Sequence, residues 1–148
     1  MSMRVLGRII LIVFFGLINT SFSENQGYNI NVKFTELRNS KGRIQLQIYR
    51  NQETFKKETP WKKIFIPKSD VKNNTLQYKI SGIPEGTYGI AILDDENSND
   101  EMDYSFMMPK EGFGFSDYFH TSWSRPKFED FKFFLKEDKN VTIKVRYV

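Results

Sequence analysis

Six carboxylates stand within ten residues, at 94–103, in a stretch reading D-D-E-N-S-N-D-E-M-D with no basic side chain. Charge of that density needs a counter-charge, and a hard cation held by oxygen is the simplest candidate. A calcium loop sets its ligands at alternate residues, because a tightly curled backbone turns every second side chain toward one centre. The spacing D-x-[DN]-x-[DN]-G supplies positions one, three and five, then a backbone carbonyl at seven. Here those roles fall on Asp95, Asn97, Asn99 and the carbonyl of Glu101, with Asp103 at position nine. Asp100 replaces the turn glycine, which is tolerable because Asp visits the left-handed region. Phe106 replaces the bidentate Glu at position twelve, so the expected calcium site is weak, or is completed by Asp94 or Asp117. The competing reading is a solvated acidic loop whose side chains cap turns. Magnesium prefers fewer protein carboxylates, and zinc needs His or Cys, of which the chain holds His120 alone.

His120 is also the one imidazole available to a hydrolase. Ser116, Ser122, Ser124, Asp117 and Asp130 are near it in sequence, so a Ser–His–Asp set can be written on paper. No G-x-S-x-G elbow accompanies it, and a lone loop His more often packs than catalyses. A glycosidase would need two carboxylates across a cleft, and nothing in a small sandwich promises one. The second group of candidates is aromatic. The long connection at 104–128 holds Phe106, Phe113, Phe115, Tyr118, Phe119 and Trp123. Trp123, Tyr118 and Phe119 are the residues expected to stack on a carbohydrate or peptide ligand, against a reading in which this segment buries its rings as core. Trp123 sits in T-S-W-S-R without apolar company, which makes it the ring expected to face a ligand. Four lysines, Lys56, Lys57, Lys62 and Lys63, bracket Trp61 and read as a solvated polar loop.

These residues must be positioned by strands. Ile30, Val32 and Phe34 alternate with Asn31 and Lys33, and Ile44, Leu46 and Ile48 with Gln45 and Gln47, the period of half-buried strands. The R-N-S-K-G turn at 38–42 predicts that these two strands form a hairpin. Ile64, Phe65 and Ile66 end at Pro67 and read as an edge strand. Leu76, Tyr78 and Ile80 begin a further alternation. The strand 87–93 turns Tyr88, Ile90 and Ile92 one way and Gly89, Ala91 and Leu93 the other, so a close neighbour is expected over Gly89 and Ala91. Phe131, Phe133 and Leu135 begin another strand, and Val141, Ile143, Val145 and Tyr147 a last one. The count is seven strands and no helix: an all-β, seven-stranded antiparallel Greek-key β-sandwich of immunoglobulin or transthyretin type.

The ends and totals set the compartment. Arg4 and Arg8 precede an apolar run at 9–18, short for a membrane span but suited to an export leader, and S-F-S at 21–23 offers small residues for cleavage. The expected division is a cleaved signal peptide, 1–23, and one β-sandwich domain, 24–148. Losing the leader leaves 20 basic against 18 acidic side chains, a net of +2, which is no argument for nucleic acid. The absence of cysteine leaves stability to burial rather than disulfides.

The G-I-P-E-G-T-Y run at 82–88 resembles the turn-and-strand signature of transthyretin-like and collagen-binding-protein B-type sandwiches. Residues 95–103, the M-P-K-E-G-F-G-F-S run at 108–116 and P-K-F-E-D at 126–130 are similar to stretches of an exported bacterial family, the domain of unknown function 2141. The resemblance runs through the mature chain in order, with Asp100 where members usually carry Gly. It implies a secreted or periplasmic sandwich and no activity. The resulting expectation is a non-catalytic binding or accessory module of the cell envelope with a weak calcium loop. Its partner would be an envelope polysaccharide or protein, not nucleic acid, with no membrane insertion once the leader is removed. A purely structural sandwich with a solvated loop is the alternative, and a small hydrolase using His120 is third.

Overall fold

The computed structural model describes residues 27–148; the expected leader, 1–23, lies outside them. In chain order the strands are β1 (Tyr28–Thr35), β2 (Arg43–Tyr49), β3 (Lys62–Pro67), β4 (Leu76–Ile83), β5 (Gly86–Asp95), β6 (Tyr104–Ser105), β7 (Met108–Pro109), β8 (Gly112–Phe115), β9 (Lys132–Leu135) and β10 (Lys139–Lys144). Two single-turn helices, α1 (Gln52–Lys56) and α2 (Phe128–Phe131), interrupt them. The fold is all-β, with ten strands in three sheets among the described residues where seven strands were expected. One sheet runs β10-β1-β4 and the larger one β3-β2-β5-β8, with β9 also on β5; β6 and β7 form a small hairpin. The arrangement is not wholly antiparallel, because β1 and β10 pair in parallel.

The alternations place the core as expected. Ile30, Val32 and Phe34 of β1 and Ile44, Leu46 and Ile48 of β2 are buried in one aliphatic cluster with Tyr88, Ile90, Ile92, Val141 and Ile143. Each such side chain contributes about 1.5–3 kcal/mol on leaving water. The cluster draws on both main sheets, so the two face each other across it.

The predicted β1–β2 hairpin does not form. β1 pairs with β4 and β10, and β2 with β3 and β5. The turn residues at 38–42 are real, but the segment crosses from one sheet to the other. Leu37 is fully buried within it, and its backbone is clipped to Asn74 by N–H to carbonyl and amide to carbonyl bonds of 3.0 and 2.6 Å. An apolar anchor in the connection makes a core crossing out of what composition alone reads as a tight turn. Among the described residues β3 is an edge strand, paired only with β2, as expected.

A second, aromatic cluster covers part of the outer face of the larger sheet: Tyr49, Phe55, Phe115, Phe128 and Phe131. The expected neighbour of Gly89 is here. A Cβ on that residue would lie 2.6 Å from the Phe131 ring and 2.8 Å from Phe128. Both helices serve this cluster, which explains why helical turns stand where no helix was expected. Asn51 caps α1 through Oδ1 to the N–H of Thr54 (2.9 Å), and the turn delivers Phe55 onto Phe131, with ring centroids 4.9 Å apart. β8 and β9 share the free edge of β5, one after the other. Ser116 fills the gap between them: its Oγ accepts the N–H of Ile90 (2.9 Å) and donates to the carbonyl of Phe131 (2.6 Å). Among the described residues no helix is long and apolar enough to cross a membrane.

Candidate functional site

Two neighbouring regions carry the candidate residues: the acidic loop that ends β5, and the groove beside it on the outer face of the larger sheet. In the loop, counter-charges come from other strands and connections. Lys68 Nζ lies 2.5 Å from Asp94 Oδ1 with both side chains fully buried, and the Tyr147 hydroxyl donates to the other oxygen. Burial pushes the Asp94 carboxyl above the usual range, and the hydrogen bonds from Lys68 and Tyr147 oppose that rise. Arg38 grips Glu96 with Nε and Nη2 at 2.6 and 2.9 Å, and this pairing holds Glu96 below the usual range. Arg43 reaches Asp95 (3.2 Å), Asp100 and the carbonyl of Ser98 (3.2 Å). Part of the counter-charge that the six carboxylates were expected to need therefore comes from Lys68, Arg38 and Arg43. The basic partners are remote in sequence and near in space.

The alternate residues do converge. Asp95 accepts the N–H groups of Asn99 (3.0 Å) and Asp100 (3.1 Å), Asn97 Oδ1 accepts that of Asn99 (3.1 Å), and Asn99 Oδ1 that of Glu101 (3.0 Å). The side-chain amides of Asn97 and Asn99 both donate to Asp103, at 2.6 and 3.2 Å. Asp100 takes the left-handed turn expected of it, φ +72. Buried Glu111, absent from the expected set, ties the loop down by accepting the N–H of Glu96 (2.9 Å), and burial raises its carboxyl. Glu101 is exposed. Among the described residues, no group of three or more His, Cys, Asp or Glu gathers at metal-binding distances.

The groove has a volume of about 760 Å³. Its floor is the outer face of β2 and β5, where Gln45, Gln47 and Tyr49 stand at alternate positions, and Gln45 is buried. The Tyr49 hydroxyl donates to Gln47 Oε1, Gln47 Nε2 donates to Gln45 Oε1, and Gln45 Nε2 donates to the carbonyl of Asp100 (3.2 Å). Burial pushes the Tyr49 phenol up to about 12, so it remains a donor at physiological pH. One rim carries Tyr104 and Met107 of the β6–β7 hairpin, and the other Trp123 and Arg125. The hairpin tip, Phe106 and Met107, takes positive φ at both residues (48 and 65), the two-residue turn that Asn-Gly usually supplies. Both side chains are almost fully exposed.

Trp123, 78% exposed, lines the groove. Tyr118 and Phe119 do not. Tyr118 is half-buried against the aromatic cluster, and Phe119 is exposed, with Lys144 Nζ 4.8 Å from its ring centroid. Phe115 joins the second core. His120 lines the groove and is buried; its Nε2 is 2.6 Å from the carbonyl of Ser124, and Nδ1 has no partner among the described residues. The triad written on paper is not assembled. Ser116 is spent between Ile90 and Phe131, Asp117 accepts the N–H of Thr142 (2.8 Å), and Ser122 and Ser124 bond to one another (3.0 Å). Gln45 and Gln47 were read only as the polar side of a strand, and Tyr49 was assigned to neither face. Their alternation was visible, but that this face is half covered was not. The loop 120–126 is pinned by Arg146, which donates to the carbonyls of His120 (2.8 Å) and Ser122 (3.1 Å), and by Arg125 on Glu58 and the Phe55 carbonyl.

The family model described as "Uncharacterized protein conserved in bacteria (DUF2141)" matches residues 32–144, and the chain belongs to that family. No curated protein and no solved structure matches the chain.

Proposed function

We propose that this member of the family is an exported binding or accessory module of the cell envelope that takes its ligand in the groove over β2 and β5. The groove carries the reading. It is a concave surface with a polar floor and exposed aromatic rims, held by a loop that two arginines fix in place. The same proposal includes secretion or a periplasmic location, and kinship of the two-sheet arrangement with immunoglobulin- or transthyretin-like sandwiches. The partner is an envelope polysaccharide or protein.

The test is cosedimentation of the purified protein with washed, protease-treated envelope of the native host. The wild-type chain should pellet, and Trp123→Ala and Tyr104→Ala should remain in the supernatant with unchanged melting temperatures. Equal pelleting of all three would remove the groove from the account.

The acidic loop supports a second element of the proposal, a weak calcium site formed by Asp95, Asn97, Asn99, the Glu101 carbonyl and Asp103. The observation favouring it is the convergence of those alternate side chains around Asp103. Each Asp103 carboxylate oxygen accepts one of these bonds and keeps a second lone pair. An entering cation would displace two amide donors from Asp103, which keeps the affinity low.

A further inference from the structure

We propose that the tip of the β6–β7 hairpin is a lipid contact: Phe106 and Met107 enter the interface of a zwitterionic bilayer, reversibly and without spanning it. The proposal rests on the envelope location given above and is independent of the groove, whose lining does not include Phe106.

Phe106 is 99% exposed and Met107 90%. Several other apolar rings at the surface are covered on one face. Arg43 lies 4.3 Å over the Phe65 ring, Lys144 4.8 Å over Phe119, and Trp61 is tilted against Tyr88 at 5.5 Å. At 99% exposure Phe106 has no such cover. The backbone carries a second sign. Both residues hold positive φ, 48 and 65, in a two-residue turn where Asn-Gly is the low-cost choice. Bulky side chains are outliers in that region, and in water these two bring the fold no packing in return. Strain of this kind gathers at ligand contacts. The base beneath the tip is fixed: the Lys110 N–H donates to the Asp103 carbonyl (2.8 Å), and Asn97 and Asn99 hold the Asp103 side chain.

Shape, depth and charge fit a lipid surface. A standard protein interface draws on about 20–30 residues a side, far more than a convex two-residue tip presents, whereas a bilayer needs no shaped pocket to receive one. Tyr104, 64% exposed, stands two residues below Phe106, about 7 Å along the strand. Apolar groups at a membrane surface reach about 5–10 Å deep, so the Tyr104 ring falls at the headgroups, where an amphipathic aromatic is favoured. Between 100 and 111 four carboxylates stand against one lysine, and Arg43 answers Asp100 alone of the four. That excess repels an anionic surface and suits the ammonium groups that phosphatidylcholine and phosphatidylethanolamine present.

The experiment is flotation of the exported form of the protein with vesicles of phosphatidylcholine and phosphatidylethanolamine, and in parallel with vesicles of phosphatidylglycerol. Phe106→Asn and Met107→Gly, combined in one chain, remove both apolar side chains and install the preferred turn, so the melting temperature should equal or exceed that of wild type. Wild type should float with the zwitterionic vesicles and less with phosphatidylglycerol. The double variant should bind at least about tenfold more weakly. Trp123→Ala, which tests the groove, should float like wild type. A headgroup spin label should broaden the Met107 methyl resonance of ¹³C-methionine-labelled wild type, which keeps the test valid if the variant misfolds. Equal flotation of wild type and double variant, or an unbroadened Met107 signal, would overturn the tip as the contact. Absence of flotation would overturn the lipid, and loss of envelope pelleting by Phe106→Ser would then assign the tip to a protein or polysaccharide. Preference for phosphatidylglycerol would overturn the zwitterionic assignment.

Discussion

In the loop at 94–103 nearly every polar side chain is answered from within: Asp94 by Lys68 and Tyr147, Asp95 by Arg43 and two N–H groups, Glu96 by Arg38, Asp103 by two amides. In the connection that follows, Phe115, Phe128 and Phe131 are equally settled in a core, but His120 Nδ1 is unanswered and Trp123 stands in solvent. Both regions look like sites when residue types are counted. They differ in what remains open. A cluster of charges that has recruited several of its own counter-charges holds structure together, whereas a groove with exposed ring faces is open to hold something else.

The comparison breaks most visibly at Lys68. Removing one partner from a buried ion pair leaves the other uncompensated, so Lys68→Ala should cost about 3–5 kcal/mol in urea denaturation. A loss below about 1 kcal/mol would mean the loop is solvated. On the other side, Gly89→Ala drives a methyl into Phe131 and Phe128 and should cost about 1–3 kcal/mol. A neutral result would detach the aromatic cluster from β5.

Calcium comes next in size. Free calcium at ten times the dissociation constant would add roughly 1.4 kcal/mol, raising the melting temperature on the order of 5 °C. Asp103→Asn should remove that rise. An unchanged melting point with calcium or chelator would leave the loop closed without an ion.

Glu96 gives a smaller, pH-dependent effect. Its folded value is depressed by Arg38, so its contribution is present above the unfolded value and is lost as pH falls through the folded one. Arg38 is partly exposed, which limits the effect to about 0.5–1 kcal/mol. Glu96→Gln should be less stable near neutrality by that amount and lose correspondingly less on acidification. Asp94 and Glu111, both raised by burial, work the other way: their contribution is full at low pH and is lost as pH rises through their folded values. An acid limb unaltered by Glu96→Gln would separate Glu96 from Arg38. The smallest expected change is the stability of Trp123→Ala, within about 0.5 kcal/mol for an exposed ring. A loss of about 3–5 kcal/mol would place that ring in the core.

Period-two alternation made the inner faces of β1, β2, β5 and β10 legible, because one buried face per strand leaves a pattern in the residues themselves. It did not reveal partners. Leu37 turned an expected hairpin into a crossing, and β10 joined β1 in parallel across more than a hundred residues. The left-handed turn at Asp100 and the convergence on Asp103 were legible from spacing, because both are local. Lys68, Arg38 and Arg43 were not legible as counter-charges, since long-range pairing brings them to the loop. The exposure of Trp123 was readable from its polar neighbours, while Tyr118 and Phe119, five and four residues away, were turned elsewhere by the course of the 116–131 excursion. Gln45, Gln47 and Tyr49 were hidden because half-burial of a polar strand face depends on what covers it.

The contrast between closed loop and open groove is tested most directly by mapping the ¹⁵N amide and side-chain resonances of the protein as soluble fragments of protease-treated host envelope are added. The account predicts shifts gathered at Gln45, Gln47, His120 and Trp123, with residues 95–99 unmoved. Shifts confined to the acidic loop, or to the outer face of the three-stranded sheet at Asn31, Lys33 and Thr142, would contradict it.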